Sequence, residues 1–328
     1  MSSPASSPAI SHALFLLLVV LVGWLHLATL VLTLLFACLA LRALSFGRYR
    51  WTALAAFIVL LALFFCGFVV FVKEAIVVLP EIVSTSVPKV VKYATGHGVE
   101  LPFTDLDSLK TLAIETAHKT VGYLGNFARL ATKEFLYLVV GIVVAIGLFL
   151  RSSHKEEPAA PTLYSIHAAR VRELFRSFYQ SFERVMGAQV IISTINTVLT
   201  SIFVLACHLP YATVVIILTF LCGLLPVVGN ILSNTLIVGL AFTISPRLAG
   251  WALLFLVVIH KLEYFLNSRI IGSRIRHPMW LTLLALLVGE RLLGIPGIIL
   301  APVVLNFVKT EASKFPADVA RENAPEAA

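Results

Sequence analysis

The ionisable and polar side chains that fall inside apolar sequence are few, and they cluster. His260, Glu263 and Asn267 stand at i, i+3 and i+7, one face of a helix. An ionised side chain at the centre of a membrane helix costs about 2.5 to 3.5 kcal/mol, and less toward the end. Glu263 therefore has two readings. It is a proton- or cation-responsive carboxylate, or it belongs to an interfacial network in which Lys261 snorkels and an arginine pairs with the acid. Glu290 and Arg291 interrupt a second apolar run. They either open toward a cavity or form an ion pair at a hairpin tip. Gln189, Ser193, Asn196 and Thr200 follow at spacings of 4, 3 and 4, again one helix face. Such a stripe lines a pathway or joins helices by hydrogen bonds.

Enzyme chemistry has little to build on. The chain contains no GxxxxGK[ST], HExxH or GxSxG, and its histidines are scattered. Glu263 with Glu290 is the one candidate acid pair, and it sits in no catalytic motif. Cys38, Cys66, Cys207 and Cys222 each lie in an apolar run with no CxxC or Cys/His spacing, so they read as small hydrophobes. We expect no catalytic residues, no metal site, no disulfide and no cofactor.

The elements that position these residues must live in lipid. Hydrophobic residues make up 59% and charged residues 13%, with mean hydropathy +0.96. Soluble domains carry about 25% charged residues, so the expected class is an all-α integral membrane protein. The net charge of +8 is read as topology-setting Lys and Arg in short loops. No basic block is interleaved with aromatics, which excludes nucleic acid as a partner.

In order along the chain, residues 1–11 form a polar tail without Lys or Arg. That lacks the charged start of a cleavable signal, so the next segment is read as retained. Residues 12–72 hold the N-terminal spans. Residues 12–44 are too long for one crossing and are expected to turn near Gly23–His26, and a further span runs over 51–72. Residues 73–133 are nearly neutral, with seven basic and six acidic residues, and read as an extracytoplasmic amphipathic segment. Pro80, Pro88 and Pro102 are expected to divide it. Thr104 with Asp107 resembles a helix cap, and Leu109 to Phe127 carry an apolar stripe. A span covers 134–150. Residues 151–187 form a cytoplasmic loop with a Lys155–Pro161 linker. An amphipathic helix then carries Val171, Leu174, Phe175, Phe178, Phe182 and Val185 on one face and arginines on the other, read as interfacial.

Residues 188–309 form the expected transport core. It contains one span over 188–206, another over 249–266, and two apolar runs broken by glycine and proline. The first, 211–245, breaks at Pro226, Gly229 and Asn230. The second, 279–309, breaks at Gly289, Glu290, Arg291, Gly294, Pro296 and Gly297. Broken helices at membrane depth survive only where protein or a cavity covers them, and in transporters they mark binding sites. If each run crosses once, the loop with Arg269, Arg274 and Arg276 lies outside. If each folds back as a re-entrant hairpin, every basic loop is cytoplasmic, at the cost of an exposed Arg247. The positive-inside rule favours hairpins. The expected layout is six spans and two re-entrant hairpins, eight apolar units with interfacial helices. Both termini are cytoplasmic, and 310–328 is a cytoplasmic tail.

The stretches GLLPVVGNILSNTL, HKLEYFLNSRIIGSRIRHPMWLTLLALLVGERLLGIPGIILAPVVL and GAQVIIS…HLPYATVV closely resemble the autoinducer-2 exporter family of bacterial transporters. Its Pro-x-x-Gly matches Pro226 and Gly229, its carboxylate Glu263, and its following Asn-Ser and Ile-Gly match Asn267–Ser268 and Ile271–Gly272. Its Gly-x-x-x-x-Gly-x-x-Gly matches Gly289, Gly294 and Gly297, with a late proline at Pro302. One departure stands out: Asn230 occupies the place of a usual second proline. The resemblance implies a homo-oligomeric inner-membrane exporter, a pentamer, embedded in the lipid bilayer. The implied cargo is the furanone signal autoinducer-2 or a related small molecule. Other members resemble sodium or lithium/proton antiporters, so the resemblance does not fix the substrate. The hairpin tips, Pro226–Asn230 and Gly289–Gly297, are expected to meet near the bilayer midplane and frame the route. Monovalent cation/proton antiport through Glu263 and Glu290, and a non-transporting membrane scaffold, are the alternatives.

Overall fold

The computed structural model describes residues 8–45, 49–96, 124–151, 162–226, 228–270 and 278–314. The Thr104–Asp107 cap, the stripe from Leu109 to Tyr123, the Lys155–Pro161 linker, the loop with Arg274 and Arg276, and the tail after Phe315 lie outside the described residues. All regular structure among the described residues is helical: α1 (Pro8–Trp24), α2 (Ala28–Leu44), α3 (Arg50–Gly96), α4 (Leu124–Arg151), α5 (Leu163–Ala206), α6 (Ala212–Gly223), α7 (Val228–Ile244), α8 (Pro246–Ile270), α9 (Met279–Leu293) and α10 (Ile295–Ala312). Helix is what lipid imposes, because each backbone N–H and C=O must find its partner within the segment. Large apolar side chains point outward along the helices, among them Leu63 at 65% exposure, Val143 at 62% and Leu287 at 66%. In water such a surface would aggregate; facing hydrocarbon it is stable.

Among the described residues, four helical segments are long and apolar enough to cross a membrane: Arg50–Ala75, Thr132–Arg151, Leu163–Ala206 and Ile295–Ala312. Counting α1 and α2 together as one broken span gives five. The expected turn at Gly23–His26 is present, with His26 in the left-handed region at φ 53°. Two sequence expectations fail. Pro80 and Pro88 do not divide the chain, since α3 runs 47 residues through both. Proline removes one backbone bond and kinks a helix, but here neighbours hold the helix on both sides of the prolines. Phe71 and Ala75 pack on Val214, Lys89 Nζ donates to the Thr243 carbonyl at 2.5 Å, and the Tyr93 ring meets Phe242 edge-on at 5.1 Å. The amphipathic helix and the following span are likewise one element, α5, of 44 residues. Gly187 stands at the junction, but a glycine costs only about 1 kcal/mol inside a helix, too little to end it there.

The chain forms two compact units. One contains α1, α5 up to Met186, α9 and α10. Its core is aromatic: Phe15 meets Phe175 at 5.1 Å and Phe307 at 5.4 Å, and Phe307 meets Phe178 at 5.5 Å. The stripe expected to lie on lipid thus packs largely on protein, with Leu174 and Phe182 buried. Arg172, Arg176 and Arg184 stay exposed.

The other unit contains α2, α3, α4, the rest of α5, α6, α7 and α8. Ala37, Leu41, Phe57 and Ala145 join α2, α3 and α4. Val204, Val215, Ile237, Leu240, Ala252 and Leu256 join α5 through α8. Phe203 stacks on Phe255 with centroids 4.4 Å apart. This packing holds α7 and α8 side by side, and they carry Asn230 and Glu263.

Candidate functional site: a carboxylate tied to a helix break

α6 is only 12 residues, about 18 Å of helix. Its last carbonyls have no intrahelical partner, and α5 supplies two. Gln189 Nε2 donates to the Gly223 carbonyl at 2.6 Å, and Ser193 Oγ donates to the Phe220 carbonyl at 2.9 Å. These two members of the stripe therefore join helices. Ser193 lies so close that a Cβ on Gly223 would overlap its hydroxyl. Thr200 is buried at 1% exposure.

The turn that follows holds Pro226, half-buried. Gly229 N donates to the Leu225 carbonyl at 3.2 Å and begins α7 again. A Cβ on Gly229 would overlap the Cys222 carbonyl, so the turn closes this tightly only with glycine there. Its closure delivers Asn230 to α8. Asn230 Nδ2 stands 2.8 Å from both Oε1 and Oε2 of Glu263, a donor shared by two carboxylate oxygens. Hydrogen bonds to an ionised partner are roughly twice as strong as neutral ones. Glu263 is 15% exposed, and His260 Nδ1 stands 3.9 Å from its Oε2. Asn230 and His260 are the described side chains that stand against the acid; the side chain of Arg269, and Arg274 and Arg276, lie outside the described residues.

The stripe's third member completes the cluster. Asn196 lines a cavity of about 10 Å³ together with Glu263 and apolar groups including Ile192, Leu199 and Ile259. Asn196 Oδ1 and the neighbouring Thr197 Oγ1 are buried without a hydrogen-bond partner among the described residues. An unsatisfied buried polar atom costs about 1 to 3 kcal/mol, and such atoms mark functional positions or sites completed by water or an ion. The cavity admits one water-sized particle. Asn267 follows on α8, but its side chain lies outside the described residues.

The second break differs. The helix stops at Gly294 alone, with φ 64° and ψ −143°, a conformation only glycine adopts freely. Gly289 and Gly297 press backbone against backbone: a Cβ on either would overlap the other's carbonyl. Glu290 and Arg291 are not turned toward a cavity by the break. They remain inside α9, 3.8 Å apart, with side chains 53% and 88% exposed. These residues belong to the other compact unit. Within one unit, then, Pro226, Gly229, Asn230, Glu263 and Asn196 come together.

Sequence reasoning did not find a further polar cluster in that other unit. Ser11 Oγ lies 2.9 Å from His167 Nδ1, Ser177 Oγ donates to Glu311, and Lys314 Nζ binds Glu311 at 2.7 Å. Ser177 standing within an otherwise apolar stripe was the one available signal.

A broken helix and a sequestered carboxylate within a helical membrane protein are features that transporters use at their binding sites. The sequence pattern of the AI-2E family transporters matches residues 10–315, and the chain belongs to that family. It is 30% identical over 136 residues to YdbI of Bacillus subtilis (strain 168), a protein named for an inferred transport role, covering 40% of this chain and 38% of that protein. A protein of Thermotoga maritima, also named for an inferred transport role, is 24% identical over 202 residues, 60% of this chain and 59% of that protein. The matched segments thus span less than two thirds of either relative.

Proposed function

We propose that the chain is a multi-pass inner-membrane exporter of a small organic molecule, an autoinducer-2-like signal or related metabolite, and that the α6–α7 turn with Glu263 controls its passage. The observation that carries this reading is the bond from Asn230 to Glu263. It joins the break in the helix to a carboxylate that is 15% exposed, so a change at Glu263 is felt at the turn. Comparing metabolites in the medium of deletion and overexpressing cells tests it. Compounds that accumulate outside only when the protein is present support export, and identical media contradict it.

A second reading, monovalent cation (sodium or lithium)/proton antiport, has its own support. A cavity of about 10 Å³ lined by a carboxylate and an amide oxygen suits a proton or small cation better than a metabolite. Hard cations favour such oxygen ligands. Proteoliposomes carrying a pH-sensitive dye distinguish the two. Antiport requires sodium- or lithium-driven proton flux that Glu263→Gln abolishes, and a wild type without such flux ends this reading. Glu290, the other acid proposed for this reading, lies 3.8 Å from Arg291 with 53% of its side chain exposed, so the support comes from Glu263. A non-transporting scaffold would leave any export phenotype unchanged when Gly229 or Gly297 is replaced by a bulky residue.

For topology we propose six spans and two re-entrant hairpins with cytoplasmic termini, assembled as a homo-oligomer, a pentamer. The 12 residues of α6 support the first hairpin, being too short to cross. The second has weaker support, since Ile295–Ala312 is long enough to cross alone. Charge distribution carries it. A cysteine placed at Arg274 and labelled from outside would contradict the arrangement.

A further inference from the structure

Between α7 and α8 runs an open groove of about 550 Å³. Its chemistry changes along its length. Toward the Ser245 turn it is walled by Gly239, Leu253 and Val257; farther along come Asn234, Thr235, His260 and Lys261. No acid lines it. The Thr235 hydroxyl already donates to the Ile231 carbonyl at 2.8 Å, which leaves Asn234, His260 and Lys261 as donors. His260 is 73% exposed, and Lys261 is exposed. Among the described residues no carboxylate lies within 4 Å of Lys261.

Lys261 follows Arg247 by 14 residues on one helix, about 21 Å, against roughly 30 Å of hydrocarbon. Its charge sits inside the lipid boundary and reaches the headgroup layer along its own stem. A cation there needs an anion, and basic pockets between membrane helices bind acidic headgroups. We propose that this groove is a binding site for one anionic phospholipid. Lys261, His260 and Asn234 hold its phosphate, and one acyl chain lies along Gly239, Leu253 and Val257. The site rests on the chain being embedded in lipid and not on what it transports. It also shares His260 with Glu263, which places the headgroup one side chain from the carboxylate.

The test uses the purified full-length protein in detergent, stripped of lipid and titrated with phosphatidylglycerol or phosphatidylcholine. Bound lipid is counted by native mass spectrometry. Phosphatidylglycerol is expected to be retained selectively. Lys261→Ala should weaken it about fivefold, the equivalent of about 1 kcal/mol for one basic side chain near the surface. Gly239→Leu should remove it by filling the apolar end. A Cβ at Gly239 meets no atom within 4 Å, so its melting temperature without lipid should match wild type. Lys261→Gln, a surface change, keeps the test open if Gly239→Leu fails to fold. Equal retention of the two lipids overturns the proposal, as does phosphatidylglycerol binding indifferent to the Lys261 variants. A disulfide between two copies of Gly239→Cys in native membranes would also overturn it, because a second subunit would then fill the groove.

Discussion

The two broken runs look alike in sequence and are built differently. Both are apolar, both carry a glycine–proline interruption, and both place polar residues nearby. At the α6–α7 turn the polar groups face protein. Gln189 and Ser193 close the free carbonyls of α6, and Asn230 reaches across to Glu263. At the α9–α10 turn backbone packs on backbone through Gly289 and Gly297, while Glu290 and Arg291 face outward. A break thus does one of two things. It can gather buried polar groups from neighbouring helices, or it can let two helices approach closely. Only the first brings a carboxylate into hydrogen-bond contact with the break.

The largest expected effect falls on the glycines of both turns. Gly229→Leu and Gly297→Leu force side-chain atoms into backbone carbonyls. Overpacking of ordinary cores costs about 1 to 3 kcal/mol, and backbone that cannot give way should put these at the upper end or beyond. Loss of folded protein on size-exclusion chromatography checks this. If either variant is as stable as wild type, that turn is not closed as described.

Next comes Asn230→Ala, which strips Glu263 of its donor. Truncating a hydrogen bond to a buried charged group costs about 1.5 to 3 kcal/mol, so thermal stability should fall clearly. Combined with Glu263→Gln, the two losses should not add, since both remove one interaction. Strict additivity would mean the pair is not coupled. Gln189→Ala should cost less, about 1 kcal/mol for a neutral bond, with the change confined to stability. Smallest is Arg291→Gln. An exposed ion pair contributes at most about 1 kcal/mol, so stability and transport should both stay near wild type. A large effect would erase the contrast between the two turns.

The legible part of the fold was what composition and breakers control. The all-helical class, the turn near Gly23–His26 and both interruptions follow from apolar runs and glycine placement. The continuity of α3 through Pro80 and Pro88 was not legible, because contacts from Val214, Thr243 and Phe242 hold that helix and none is local in sequence. In the site, helical spacing placed Gln189, Ser193, Asn196 and Thr200 on one face. Spacing could not say that two cap α6 while Asn196 shares a cavity with Glu263. The position of Asn230 was singled out as a departure from the family pattern, but its partner, 33 residues away, emerges only when α7 folds beside α8. For Glu290 and Arg291 the sequence left two readings open, because a charged pair near a glycine reads the same whether it faces a cavity or solvent; the structure has the exposed pair.

The most direct test of the central claim compares the two carboxylates in cells. Wild type, Glu263→Gln and Glu290→Gln are expressed at matched membrane levels, and the exported metabolites are profiled in the medium. Glu263→Gln should give the profile of the deletion strain and Glu290→Gln that of wild type. A Glu263→Gln strain that exports like wild type would contradict the assignment of function to the α6–α7 turn.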